Sequence, residues 1–261
     1  MTILTRNNWN GKMTRIESLL TLLILFALVS GCAQISVWKT KNDIPVTDEL
    51  TAEQLEELDL QFGLTRIVER KGQLDEAKKS YQMILEIDPS YSKATHRLGV
   101  IAAQREDIDL AIELLLSAEK ITPNSANLLA DLGYVLLLDR QLTAAEEYLS
   151  RAFELNSEDP RITNNLALAF GYQGETERAL DLFRRCNPES QSLTNIGYVH
   201  SQLGELERAR HYFHAALDID PKIQQAAAGL VEVEKLSRLD KQHSRNEALT
   251  APTLNVAKTS E

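Results

Sequence analysis

Only two cysteines occur in 261 residues, Cys32 and Cys186. Two cysteines allow at most one bridge. A disulfide framework is therefore excluded. Basic residues are also in short supply, 28 Lys and Arg against 38 Asp and Glu, a formal net charge of −10. Such a balance argues against nucleic acid and against adhesion to anionic headgroups. A long hydrophobic run is missing too. Leu19 to Val29 is apolar except for Thr21, about half of the ~20 residues that a spanning helix needs. There is no GxSxG, no P-loop and no HExxH, so no nucleophile elbow, phosphate cradle or zinc protease site is encoded in recognisable form. His211 and His214 stand three apart on a helical stretch, but no further ligands accompany them, and a surface or packing role is expected.

What is present is a ruler. Leu98-Gly99 returns as Leu132-Gly133, Leu166-Ala167 and Ile196-Gly197. Twelve positions after each dyad's small residue stand Ala111, Ala145, Ala179 and Ala209, and four further on Leu115, Leu149, Phe183 and Phe213. A degenerate copy with Leu64, Ala77, Tyr81 and Pro89 precedes them. A fixed period in this range means stacked supersecondary units, which create long curved surfaces suited to binding other proteins.

The N-terminal residues 1–31 read as an export signal: Arg6, Lys12 and Arg15 precede the short apolar core. Met13 is an alternative start. Val29-Ser30-Gly31-Cys32 resembles the bacterial lipobox, which implies lipidation of Cys32 after cleavage, and Ala33 in place of Asp resembles outer-membrane sorting. Several acyl chains on one thiol anchor firmly, each buried CH₂ adding roughly 0.8 kcal/mol. Loss of residues 1–31, with three basic residues and one acidic, takes the net charge from −10 to −12. Residues 32–50 read as a flexible tether, at most about 60 Å long at ~3.3 Å per residue.

The repeat domain is expected over 51–239. Thr51 and Gln54 have capping-box spacing. Gly72, Gly174 and Gly204 supply turns within helix pairs, and Pro89, Pro123 and Pro221 follow the second helix of a pair. Cys186-Asn187-Pro188 shortens the fourth unit by about one turn. Cys186 falls where other units have Ala118, Ala152 and Ala216, a helix-packing position that predicts a buried thiol rather than a nucleophile. Ile223, Ala227, Leu230, Val233 and Leu236 suggest one stripe of a terminal capping helix. Residues 240–261 read as a disordered tail.

Leu98-Gly99, Ala102, Ala111, Leu115, Ala118 and Pro123 resemble the tetratricopeptide repeat. That resemblance implies an all-α right-handed solenoid of about five helix pairs plus a C-terminal capping helix. It also implies a concave groove for a protein or peptide partner, with no catalysis and no cofactor or metal. In the family register, Asp131, Asn165 and Asn195 precede the dyads, and Tyr134, Leu168 and Tyr198 follow one turn on. These six are the candidate peptide-binding residues, because Asn offers both a donor and an acceptor to a peptide backbone. A lipobox followed by such repeats resembles bacterial pilus and secretin accessory lipoproteins. Asn164-Asn165-Leu166-Ala167-Leu168-Ala169, Phe183-Arg184-Arg185 and Leu206-Glu207-Arg208-Ala209-Arg210 look like the TadD family of Flp/Tad pilus assembly. That resemblance implies a secretin or pilus component as partner and a lipid-anchored protein of the cell envelope, at the periplasmic face of the outer membrane. Assembly of another envelope complex, or regulation of a periplasmic enzyme, stays open as an alternative.

Overall fold

The computed structural model describes residues 50–250. The export signal, Cys32, the tether up to residue 49 and residues 251–261 lie outside them. Among the described residues there are eleven helices and no strand. Five antiparallel pairs come first: α1 (Ala52–Arg70) with α2 (Leu74–Ile87), α3 (Ser92–Gln104) with α4 (Ile108–Ile121), α5 (Ala126–Leu138) with α6 (Leu142–Leu155), α7 (Pro160–Tyr172) with α8 (Thr176–Cys186), and α9 (Glu189–Gln202) with α10 (Leu206–Ile219). A single helix, α11 (Gln224–Thr250), follows. No described helix is long and apolar enough to cross a membrane.

The ruler's positions are the core. Ala77, Ala111, Ala145, Ala179 and Ala209 are fully buried, as are Tyr81, Leu115, Leu149, Phe183 and Phe213 four residues on. A small residue lets the two helices of a pair approach until ridges enter grooves. The dyad glycines do the same from the opposite helix. A Cβ on Gly99 would stand 2.8 Å from the Leu115 side chain, and one on Gly133 2.5 Å from that of Leu149. Between pairs the first helix of one unit packs on the second helix of the preceding one, so each unit completes its neighbour's core.

Local chemistry sets the boundaries. The capping box forms: Gln54 N donates to Thr51 Oγ1 at 3.3 Å, and Thr51 N donates to Gln54 Oε1 at 2.8 Å. Pro160 occupies the first turn of α7 behind Asp159, whose carboxylate accepts from Arg161 N at 2.8 Å. The turns within pairs need a left-handed residue, and Gly72, Gly174 and Gly204 supply it with φ of 79°, 86° and 76°. The second and third units place Glu106 and Arg140 at the same point, at φ 63° and 60°. Side chains there carry a steric cost that glycine avoids.

Four expectations change. The α11 helix runs on past Leu239 to Thr250, through residues read from sequence as tail. Of the expected stripe, Ile223 and Val233 are buried and Leu230 packs half-buried beside them, but Ala226, Gly229 and Ser237 complete the buried side, and Ala227 and Leu236 face outward. The cause is Gly229: a Cβ there would meet Phe213 at 2.4 Å, so the helix turns this bare position inward. Leu64 is exposed although its counterparts Leu98, Leu132, Leu166 and Ile196 are buried. Cys186 is half-buried, because α8 spans 11 residues against 14 in the second helix of the other pairs and ends at this position. Burial still pushes its thiol pKa up, which lowers the fraction present as the reactive thiolate.

Candidate functional site

The first helices of the pairs line one face of the stack, and two adjoining concavities open along it. One, of about 420 Å³, has Val100, Ala103, Val135 and Leu138 as its apolar floor, with Asp131, Tyr134, Arg161 and Asn165 around it. The other, of about 510 Å³, lies toward the first unit among Phe62, Lys93, His96 and Arg97. Val100, Asp131 and Arg161 belong to both, so the two are one continuous surface across four units.

A polar network built mainly from the first helix of each unit holds this surface in shape. In the first unit Glu69 is buried on α1 and accepts from Tyr81 Oη at 2.7 Å, from Arg66 Nη1 at 2.7 Å and from the Arg97 guanidinium of the second unit. Burial pushes the Glu69 carboxyl pKa up, but the hydrogen bonds from Arg97, Tyr81 and Arg66 outweigh it and hold the carboxyl below the ordinary glutamate value. Burial and the hydrogen bond to Glu69 push the Tyr81 hydroxyl well above the ordinary tyrosine value. From Arg97 the network continues to Asp131 of the third unit, at 4.0 Å. Asp131 Oδ2 pairs with His96 Nε2 at 2.7 Å, and Oδ1 accepts from Arg161 Nη1 of the fourth unit at 2.5 Å. Arg161 Nη2 also donates to Asn127 Oδ1 at 2.8 Å.

Of the six sequence-predicted groove residues, the structure brings three together. Tyr134 is 43% exposed over the apolar floor, with Asn165 half-buried beside it. Asp131 is there too, but both its oxygens are engaged, so it positions Arg161 and His96. Leu168 instead packs against the core. Asn195 Oδ1 accepts from Gln191 Nε2 at 2.8 Å. Tyr198 donates to the Gln225 carbonyl at 2.8 Å and sets its ring edge-on to Phe213, 5.0 Å away, which ties α9 to α11. Of the fifth unit's two candidates, Tyr198 thus serves the cap of the array, and Asn195 pairs within its own helix. Sequence reasoning missed Lys93, His96, Arg97 and Arg161. Lys93, Asn127 and Arg161 share a register position five residues before each dyad leucine, so the ruler held that signal. His211 and His214 are exposed, and no cluster of three metal-ligating side chains exists among the described residues.

The repeat register and the buried alanines agree with comparison to known proteins. Tetratricopeptide repeat profiles match residues 62–126, 131–190 and 190–223, more than half of the chain. The chain is a tetratricopeptide repeat protein. Among solved structures, this repeat protein is similar to YrrB, described as a TPR protein with an unusual peptide-binding site, at 24% identity and a TM-score of 0.54, covering 67% of this chain and 93% of that one. PilF of Pseudomonas aeruginosa is similar at 21% identity and a TM-score of 0.53, covering 75% of this chain and 99% of that one. At these identities the likeness is one of fold. In sequence, the repeat protein is 24% identical to the anaphase-promoting complex subunit CDC16 of Saccharomyces cerevisiae over 196 residues, 70% of this chain and 23% of that protein. It spans 12–30% of the length of the curated relatives it matches. Repeats of this family mediate protein–protein interaction.

Proposed function

We propose that this protein is a non-catalytic, lipid-anchored scaffold of the cell envelope. It holds an extended segment of a secretin or pilus component against its concave face while that complex assembles. The observation that carries the binding reading is the concavity of the second to fourth units. Tyr134 and an apolar floor there accept a non-polar side chain, and Asn165 and Arg161 offer hydrogen bonds to the segment's backbone or carboxylates. The network through Glu69, Arg97 and Asp131 fixes these groups before a partner arrives, which lowers the ordering cost of binding. The envelope and pilus assignment draws its support from the lipobox-like Val29–Cys32 and from the TadD-like phrases in α7 to α10.

Binding of a secretin-derived peptide to the purified repeat protein, measured by calorimetry, tests this. Tyr134→Ala with Asn165→Ala is expected to weaken binding roughly ten- to several-hundred-fold, since one hydrogen bond contributes about 0.5–1.5 kcal/mol and a truncated aromatic anchor 1 kcal/mol or more. Exposed Glu113→Ala with Glu147→Ala, on the second helices of their pairs, is expected to change little. A groove variant that binds normally refutes the assignment. The anchor has its own test: a processed Cys32→Ser protein is expected in the soluble fraction, and its retention in membranes contradicts lipidation.

A further inference from the structure

The N-terminal edge of the stack carries a feature that the groove does not use. Leu60, Leu64 and Ile67 lie at i, i+4 and i+7 on α1 and are 64%, 56% and 51% exposed. Their register counterparts are buried in every later unit: Ala94, Leu98 and Ile101; Leu128, Leu132 and Val135; Ile162, Leu166 and Ala169; Ser192, Ile196 and Val199. Gly63 sits on the same side of α1. A glycine weakens a helix interior relative to alanine, yet a Cβ on Gly63 would meet nothing within 4 Å. The contacts among the described residues therefore give no reason for it. Charge is segregated along the helix as well: exposed Glu56 and Glu57 precede the apolar stripe, and exposed Arg70 and Lys71 follow it.

We infer that this edge binds a second copy of the same chain, with α1 packed antiparallel on its partner's α1 about a two-fold axis between Gly63 and Leu64. In that register Leu64 faces the partner's Gly63, where the missing side chain admits it, and Leu60 faces the partner's Ile67. Glu56 then faces the partner's Lys71, and Glu57 faces the partner's Arg70. One register satisfies shape and charge together, which is the self-complementarity that a two-fold interface requires. The concave faces remain open, so the dimer presents two grooves.

Sedimentation equilibrium of the full-length chain in density-matched detergent tests this, with helicity checked for each variant. The wild type is expected to be dimeric. Leu64→Glu changes an exposed position, so folding is expected to persist. Leu64→Glu is expected to weaken the dimer about 1,000-fold, as two central anchors are lost per dimer. The double charge reversal Glu56→Lys with Glu57→Lys is expected to give monomer, and adding Arg70→Glu with Lys71→Glu is expected to restore dimer. A wild-type monomer at every concentration overturns the inference, and so does a dimer that survives Leu64→Glu. Failure of the four-fold charge exchange to restore association overturns the antiparallel register.

Discussion

Replacing Gly133 by valine probes a close helix contact within the third pair. A Cβ at this position lands 2.5 Å from Leu149 Cγ, 3.0 Å from its Cδ2 and 3.2 Å from the Ala145 carbonyl oxygen. Carbon atoms rest at about 3.5–4.0 Å, so α5 and α6 must part by about 1 Å. Cγ lies near the root of the leucine and cannot swing aside as a side-chain tip does. Over-packing of this kind costs about 1–3 kcal/mol, and the gain in helix propensity over glycine returns only a few tenths. A net loss of about 1–3 kcal/mol is expected, or roughly 2–10 °C in the thermal midpoint of a domain this size. Circular dichroism at 222 nm through heating and urea series reads it. The partner is identified by a second substitution. Leu149→Ala alone is expected to cost about 2–5 kcal/mol as a cavity. In the Gly133→Val background the valine fills part of that space, so the two changes together are expected to cost less than their sum by about 0.5–3 kcal/mol. A neutral Gly133→Val, or strictly additive effects, would refute the reasoning that this glycine exists for the approach of Leu149.

Other consequences follow from the turns and the network. Glu106→Gly relieves a left-handed side chain at φ 63° and is expected to stabilise by about 1 kcal/mol, read as a higher urea midpoint. Arg140→Gly makes the same exchange but removes a guanidinium 5.0 Å from the centre of the Tyr172 ring, a contact worth about 0.5–1 kcal/mol, so its gain is expected to be smaller or absent. Glu69→Gln is expected to cost about 1.5–3 kcal/mol at neutral pH, where it loses charged hydrogen bonds. Because the folded carboxyl titrates below its ordinary value, the Glu69 contribution is fully present above the unfolded pKa and is lost as pH falls through the folded one. Melting curves of wild type and Glu69→Gln are therefore expected to converge only below about pH 4.5, and a constant gap down to pH 2 contradicts the network.

The parts of the fold legible in sequence were those that recur. Ala111, Ala145, Ala179 and Ala209 fill one packing niche in successive copies, and repetition lifts such a niche above the background of ordinary alanines. Glu106 and Arg140 were illegible as left-handed residues because nothing in their chemistry marks that conformation as glycine does. The rotation of α11 was misread because Gly229 matters only through Phe213 on the helix before it. The candidate site was half legible for the same reason. Register alone put Asp131, Tyr134 and Asn165 on the concave face. It did not reveal that Asp131 spends both oxygens on His96 and Arg161, whose partners lie 30 to 35 residues away in sequence. Nor did it reveal that Tyr198 is drawn into the cap by the Gln225 carbonyl, a contact that only the end of the array provides.

We propose that the concave face of the second to fourth units holds a protein partner from the envelope assembly. Site-specific photocrosslinking in intact cells addresses it most directly. A photoreactive phenylalanine at Tyr134 sits in the concavity, and one at Glu147 sits on an exposed face of α6. A discrete adduct that contains a secretin or pilus component is expected from position 134, competed by its extended segment and absent from position 147. An adduct to that partner from position 147 with none from 134 would contradict it.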